Sequence, residues 1–104
     1  MKPYRIIYAP DVRLHVGVIE RKYHTLIREA IEAQLSYKPD SETRNRKPLK
    51  RPAIWGTAWE LRCGPDNRFR VFYKINLYQH QVAVLAIGTK RGNVLRIGTE
   101  VIDL

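Results

Sequence analysis

The sequence predicts an α+β fold: a short N-terminal strand, then a two-helix hairpin packed on a mainly antiparallel, twisted sheet of about four strands. Three observations carry this. Trp59, Leu61 and Cys63, then Phe69, Val71, Tyr73 and Ile75, fall on alternate positions, the period-two spacing of paired strands. Apolar residues between Val12 and Leu35 recur at helical spacing. Val82 to Ile87 is almost uniformly apolar, as in a central strand covered on both faces.

Taken in order, Tyr4 to Tyr8 is aromatic and β-branched and closes at Ala9-Pro10, which predicts a strand. Pro10-Asp11 offers a helix start, with Val12, Val16 and Ile19 on one face. The stripe resumes through Tyr23, Leu26, Ile27, Ala30, Ile31 and Leu35. Gly17 and the stretch Lys22 to Thr25 divide it into two helices, with Thr25 or a neighbour as the second cap, and Pro39-Asp40-Ser41 ends the second. Residues 38–56 read as a basic loop. Lys38, Arg44, Arg46, Lys47, Lys50 and Arg51 lie in it beside three prolines, without periodicity. Gly64-Pro65-Asp66-Asn67 is a tight turn between the first two strands of the sheet, and Leu77 to His80 is the second. Gly88 to Asn93 ends the apolar strand, and Val94 to Ile97 adds an edge strand or a turn of helix.

With 104 residues, 44% hydrophobic and ten aromatics, the chain is one folded domain, residues 1–104. Its net charge is +9, unevenly spread. From Arg44 to Arg96 there are twelve Lys and Arg against two acids, Glu60 and Asp66, while the remainder is close to neutral. That asymmetry fits a directed patch better than general solubility. Cys63 is the lone cysteine, so no internal disulfide forms, and its position on the apolar face predicts a core thiol. His15, His24 and His80 have no partners at ligand spacing, so no metal or other cofactor is expected. No apolar run approaches a membrane span. Charge interrupts Met1 to Arg5 too soon for a signal peptide, so the expected location is the cytoplasm.

The alternation that buries Phe69, Val71, Tyr73 and Ile75 turns Arg68, Arg70, Phe72 and Lys74 to the other side, beside Glu60 and Arg62 of the first run. The expected result is a sheet face showing a row of cations to solvent, suited to phosphate. Lys50 and Arg51 extend the charge from the basic loop. Trp55 has no place in the alternation and either packs under the loop or stacks on a base.

In their order and spacing, Lys47 to Lys50 (Lys-Pro-Leu-Lys), Trp59 to Arg62 (Trp-Glu-Leu-Arg), Arg68 to Tyr73 (Arg-Phe-Arg-Val-Phe-Tyr) and Ile87 to Asn93 (Ile-Gly-Thr-Lys-Arg-Gly-Asn) make the chain resemble the RelE/ParE toxin superfamily. These are the toxins of bacterial type II toxin–antitoxin pairs, and the resemblance runs from Tyr4 to about Ile97. It implies a cognate antitoxin encoded alongside. For RelE-type members it implies metal-independent cleavage of messenger RNA on the ribosome by attack of a ribose 2′-oxygen on the adjacent phosphorus. That reaction needs a base, an acid, and cations for the phosphoryl oxygens. The family's strand arginine falls on Arg70, its basic cluster after the central strand on Lys90 and Arg91, and a lysine after Pro-Leu on Lys50.

The chain also departs from the pattern. The two strand lysines of RelE fall on Ala58 and Glu60, a carboxylate found before Pro-Leu falls on Lys47, and positions near a terminal acid carry Arg91 and Arg96. The expected site is therefore Arg70, Glu60 and Arg62 for catalysis, with Glu60 either a base or a cross-strand ion-pair partner. Lys50, Arg51, Arg68, Lys74, Lys90, Arg91 and Arg96 are expected to hold RNA phosphates, all converging on one electropositive hollow. A ParE-like DNA gyrase poison, and an inactive relative that only pairs with its antitoxin, are the alternatives.

Overall fold

The computed structural model describes residues 1–50 and 56–102. Strand β1 (Arg5–Tyr8) leads into α1 (Val12–Gly17), a 3-10 turn at Arg21–Tyr23, and α2 (His24–Leu35). Then come β2 (Arg46–Pro48), β3 (Trp59–Cys63), β4 (Phe69–Asn76), β5 (Gln81–Arg91), β6 (Val94–Ile97) and β7 (Glu100–Ile102). Most of the predicted helical stripe is buried, with Val12, Ile19, Ile27, Ile31 and Leu35 in the core, but Leu26, placed on the same stripe, is 39% exposed. Thr25 is not a cap. It lies inside α2, and Tyr23 holds the cap position without a side-chain hydrogen bond. The turn is fixed instead by His24, whose Nε2 lies 2.8 Å from the Ile19 carbonyl oxygen.

The strands pair in the order β2-β3-β4-β5-β6-β7, antiparallel throughout, and β1 pairs with β5 in parallel. The sheet thus has seven strands where about four were expected. The additions are short: three residues inside the basic loop (β2), and β7, which makes β6 an inner strand. β1 lies against Gln81–Val84 and β6 against Gly88–Arg91, so the two share one edge of the long β5.

Most of the predicted basic loop is held. Arg46 donates from Nε to the Ser41 carbonyl (2.9 Å) and from Nη1 to the Gln34 carbonyl (2.9 Å) and Oε1 (2.7 Å). The Tyr73 hydroxyl donates to the Pro39 carbonyl at 2.7 Å. These bonds tie the segment after α2 to the helix and to β4, and they give Arg46 a structural role.

Between β3 and β4 the chain turns through Gly64 at φ +82°, where an added Cβ would sit 2.4 Å from the Phe69 ring. Only glycine meets both demands.

One irregularity decides which residues face which way. Phe72 pairs with Ala86 but Tyr73 with Val84, so Leu85 is an extra residue on β5. Before it Val82 and Val84 face the helices; after it Ile87 does, and Ala86 and Gly88 take the other side. The helix side holds the main core, with Leu61, Phe69, Val71 and Tyr73 beneath α1 and α2. The opposite side, expected to be open, carries a second core of Phe72, Ala86, Leu95 and Ile97, with Leu49 and Ile102 packed on it. Residues beyond β2 and on β7 thus pack against the same small core.

Candidate functional site

Cross-strand register builds the first cluster. Arg62, Arg70, Gly88 and Ile97 form one row across β3 to β6, and Glu60, Phe72 and Ala86 the next. A side chain at Gly88 would meet the Arg96 carbonyl oxygen at 2.7 Å and Ile97 at 2.9 Å, so glycine is what lets β6 lie this close. Within the frame, Arg70 Nη1 donates to Glu60 Oε1 at 2.8 Å, and Arg62 Nε donates to Glu60 Oε2 at 3.3 Å. Arg70 Nε also donates to the Asn67 carbonyl. Arg70 is 9% exposed and Glu60 7%.

This corrects the expected solvent-facing row. Arg70 is buried in an ion pair, and Phe72, placed on the same open face, is fully buried. Both Glu60 oxygens engage guanidinium donors, the ion-pair alternative for that residue. A general base must turn a lone pair to the reacting hydroxyl, and here the carboxylate is turned to arginine.

The remaining candidates do not join this cluster. Arg68, Arg91 and Arg96 lie on the helix side of the sheet, lining a cavity of about 620 Å³ between the end of α1, the Arg21–Tyr23 turn, and β5 and β6. Lys74 lines a separate groove at the far end of β4 with Leu77 and Tyr78. Lys90 is half-buried on β5, and Lys50 is exposed beyond β2. Arg51 and Trp55 lie outside the described residues. The single hollow is therefore replaced by separate places: the extra residue at Leu85 turns Arg91, and Arg96 opposite Thr89, to the helix side, and Arg68 precedes β4 just after the Pro65–Asn67 turn, where Asp66 and Asn67 have positive φ.

In the helix-side cavity Arg68 is positioned: its guanidinium carbon lies 5.7 Å from the Tyr23 ring centre, and Nη1 contacts the Tyr23 hydroxyl at 3.4 Å. Tyr23 in turn packs on Phe69. Among the described residues, Arg68, Arg91 and Arg96 have no carboxylate oxygen within 4.0 Å, in contrast to Arg62 and Arg70. Among the described residues the one acid on the wall, Glu20, pairs with Lys22 at 3.7 Å.

His15 also lines this cavity and was not a sequence candidate. The available signal was its place three residues after Val12 on the buried stripe. Its Nδ1 accepts the Ile87 backbone N–H at 3.3 Å, which puts the neutral ring's proton on Nε2. Burial pushes its pKa below the usual value, with the charges of Asp11 and Glu100 opposing. The unfolded chain takes up this proton near pH 6.5. The lowered native value therefore gives stability that is fully present above about pH 6.5 and is lost as pH falls below it. The urea midpoint should fall from pH 7.5 to 5.5, and His15→Gln should show a smaller fall. Equal falls would assign the dependence elsewhere.

Cys63 packs against the main core, where burial pushes its thiol up to about 11, so it is no nucleophile at neutral pH. Among the described residues no group of three or more His, Cys, Asp or Glu is placed to hold a metal, and no helix is long and apolar enough to cross a membrane. An apolar groove between β1, α1 and α2 is floored by Val12, Val16, Ile27 and Ile31 and edged by Arg13 and Arg28.

No protein-family model and no curated protein matches the sequence. Among solved structures, the chain is similar to one from the toxin–antitoxin complex RelBE2 of Mycobacterium tuberculosis. The TM-score is 0.68 at 22% identity, over 86% of this chain and 94% of that one. The likeness establishes a RelE-like fold.

Proposed function

We propose that this chain is the toxin of a type II toxin–antitoxin pair, acting in the cytoplasm on messenger RNA and arresting translation on the ribosome. The observation that carries the reading is the fold likeness to a toxin–antitoxin complex across nearly the whole of both chains. The basic excess from Arg44 to Arg96 supports RNA as the target, since phosphate recognition needs cations that are not already neutralised. By that criterion Lys50, Arg68, Lys74, Lys90, Arg91 and Arg96 engage RNA, and Arg62, Arg70 and Glu60 act as a brace within the sheet. Cleavage proceeds by attack of a ribose 2′-oxygen on the adjacent phosphorus with loss of the 5′-oxygen, and needs no metal. The antitoxin is the protein partner. The groove between β1, α1 and α2 suits an amphipathic helix with an acidic flank, by its apolar floor and arginine rim.

One observation favours a second reading, a non-enzymatic gyrase poison: Glu60, the carboxylate nearest Arg70, is occupied by arginine on both oxygens. Induced expression followed by mapping of transcript 5′ ends separates the two. The expected result is growth arrest with new 5′-hydroxyl ends inside coding regions, and cleavage that persists when purified protein and ribosomes are treated with EDTA. Intact transcripts with induced DNA damage would replace RNA by gyrase, and undisturbed growth would remove the toxin reading.

A further inference from the structure

The geometry points to a binding site for one unstacked RNA nucleotide in the helix-side cavity, where Arg68, Arg91 and Arg96 hold phosphate on the opposite side of the sheet from Arg70. The inference rests on the RNA reading above and names where and how that ligand is held.

An arginine paired with a buried carboxylate has its charge compensated and part of its fork engaged, whereas one without a carboxylate partner keeps its charge for a phosphate. The sheet divides its arginines along this line. Arg62 and Arg70 share Glu60, while Arg68, Arg91 and Arg96 have no carboxylate partner among the described residues and line one cavity. Convergence follows from register. Thr89 pairs with Arg96 and Arg91 with Val94, so Arg91 and Arg96 are diagonal neighbours on one face of β5 and β6. Such a diagonal is about 7–8 Å, close enough for both to engage one phosphodiester or its neighbour. Arg68 reaches the same cavity from the start of β4, held against Tyr23.

Size and lining fix the class of ligand. A bare phosphate would fill little of about 620 Å³, a volume in the range of small-ligand sites. Val18, Ile87 and Val94 give the cavity an apolar wall beside its arginines, as a base joined to its phosphate requires. In duplex RNA the bases are stacked and the deep groove is closed to side chains, so the unit admitted here is an unpaired one.

The test uses the intact protein, a fluorescein-labelled twelve-nucleotide single-stranded RNA, the same sequence as a duplex, and adenosine 5′-monophosphate. By anisotropy, Arg91→Ala/Arg96→Ala should weaken single-strand binding roughly tenfold or more and flatten the log–log salt slope by about 1.4. Arg62→Gln should stay within twofold, and the duplex should bind more weakly than the single strand. Both arginines of the double variant are exposed, and unchanged circular dichroism will exclude misfolding. In a 1H–15N titration the monophosphate should move the amides of Thr89, Val94 and Gly98. If the RNA binds but Arg62→Gln, and not the double variant, weakens it, the cavity is overturned and the RNA reading stands. If the monophosphate moves those amides but no RNA binds, the cavity is a nucleotide site and the RNA reading falls. If neither ligand binds, both are overturned.

Discussion

Arg70→Ala should lower the free energy of unfolding by about 3–5 kcal/mol, the usual cost of leaving one member of a buried ion pair alone. The mutation removes the 2.8 Å bond to Glu60 Oε1 and the donor to the Asn67 carbonyl. Glu60, 7% exposed, is left with the longer contact to Arg62, whose side chain is partly solvated and so a weaker partner. A domain of this size has about 5–15 kcal/mol to lose. Loss of growth arrest in this variant would therefore report folding before chemistry, although Arg70 is the residue that the RelE pattern marks for catalysis. Urea unfolding followed by tryptophan fluorescence gives the number. Glu60→Met/Arg70→Met, which removes both charges, should recover most of the loss. A single-variant cost below about 1 kcal/mol would mean that water reaches the pair, and would return Arg70 to the list of accessible phosphate ligands.

Phe72→Ala should cost a similar amount, about 3–5 kcal/mol, for a different reason. The ring is fully buried on the side of the sheet away from the helices, in a cluster with Ala86, Leu95 and Ile97 against which Leu49 and Ile102 pack. Its removal leaves a cavity that rigid strands cannot close. Those neighbours belong to β5, β6, β7 and the segment after β2, so the loss should be local first. Amide exchange at Leu95 to Ile97 should accelerate well before that at Val71 or Val84. A cost near zero, with uniform exchange, would show that the second core does not hold the C-terminal strands.

Both variants concern the side of the sheet that the sequence leaves looking open, and the cause is specific. The helical stripe and the alternation of β3 and β4 are local properties, so Ile27, Ile31, Leu61, Val71 and Tyr73 are buried as their spacing predicts. The core around Phe72 is completed by Leu49 and Ile102, far from it in the chain and in segments with little strand signal of their own. The extra residue at Leu85 cannot be read from β5, because its run is apolar on both faces and only the pairing with β4 reveals the shift. Arginine is misread for a related reason: residue type suggests solvent, and only the cross-strand placement of Glu60 shows that Arg70 can be buried. The cationic character of the β4–β6 end was legible; its division between two sides was not.

The pairing of β1 with β5 bears on how the molecule is made. Parallel partners Arg5–Tyr8 and Gln81–Val84 are separated by most of the polypeptide, and β6 must take the remaining length of the same edge. While a ribosome is still synthesising the chain, the first strand has nothing to dock on and Ile6 waits in water. Closure of so distant a contact is slow, and it comes only when nearly all residues have emerged. A nascent fragment is thus incapable of assembling the finished sheet, and whatever surface the sheet displays exists only on the completed chain.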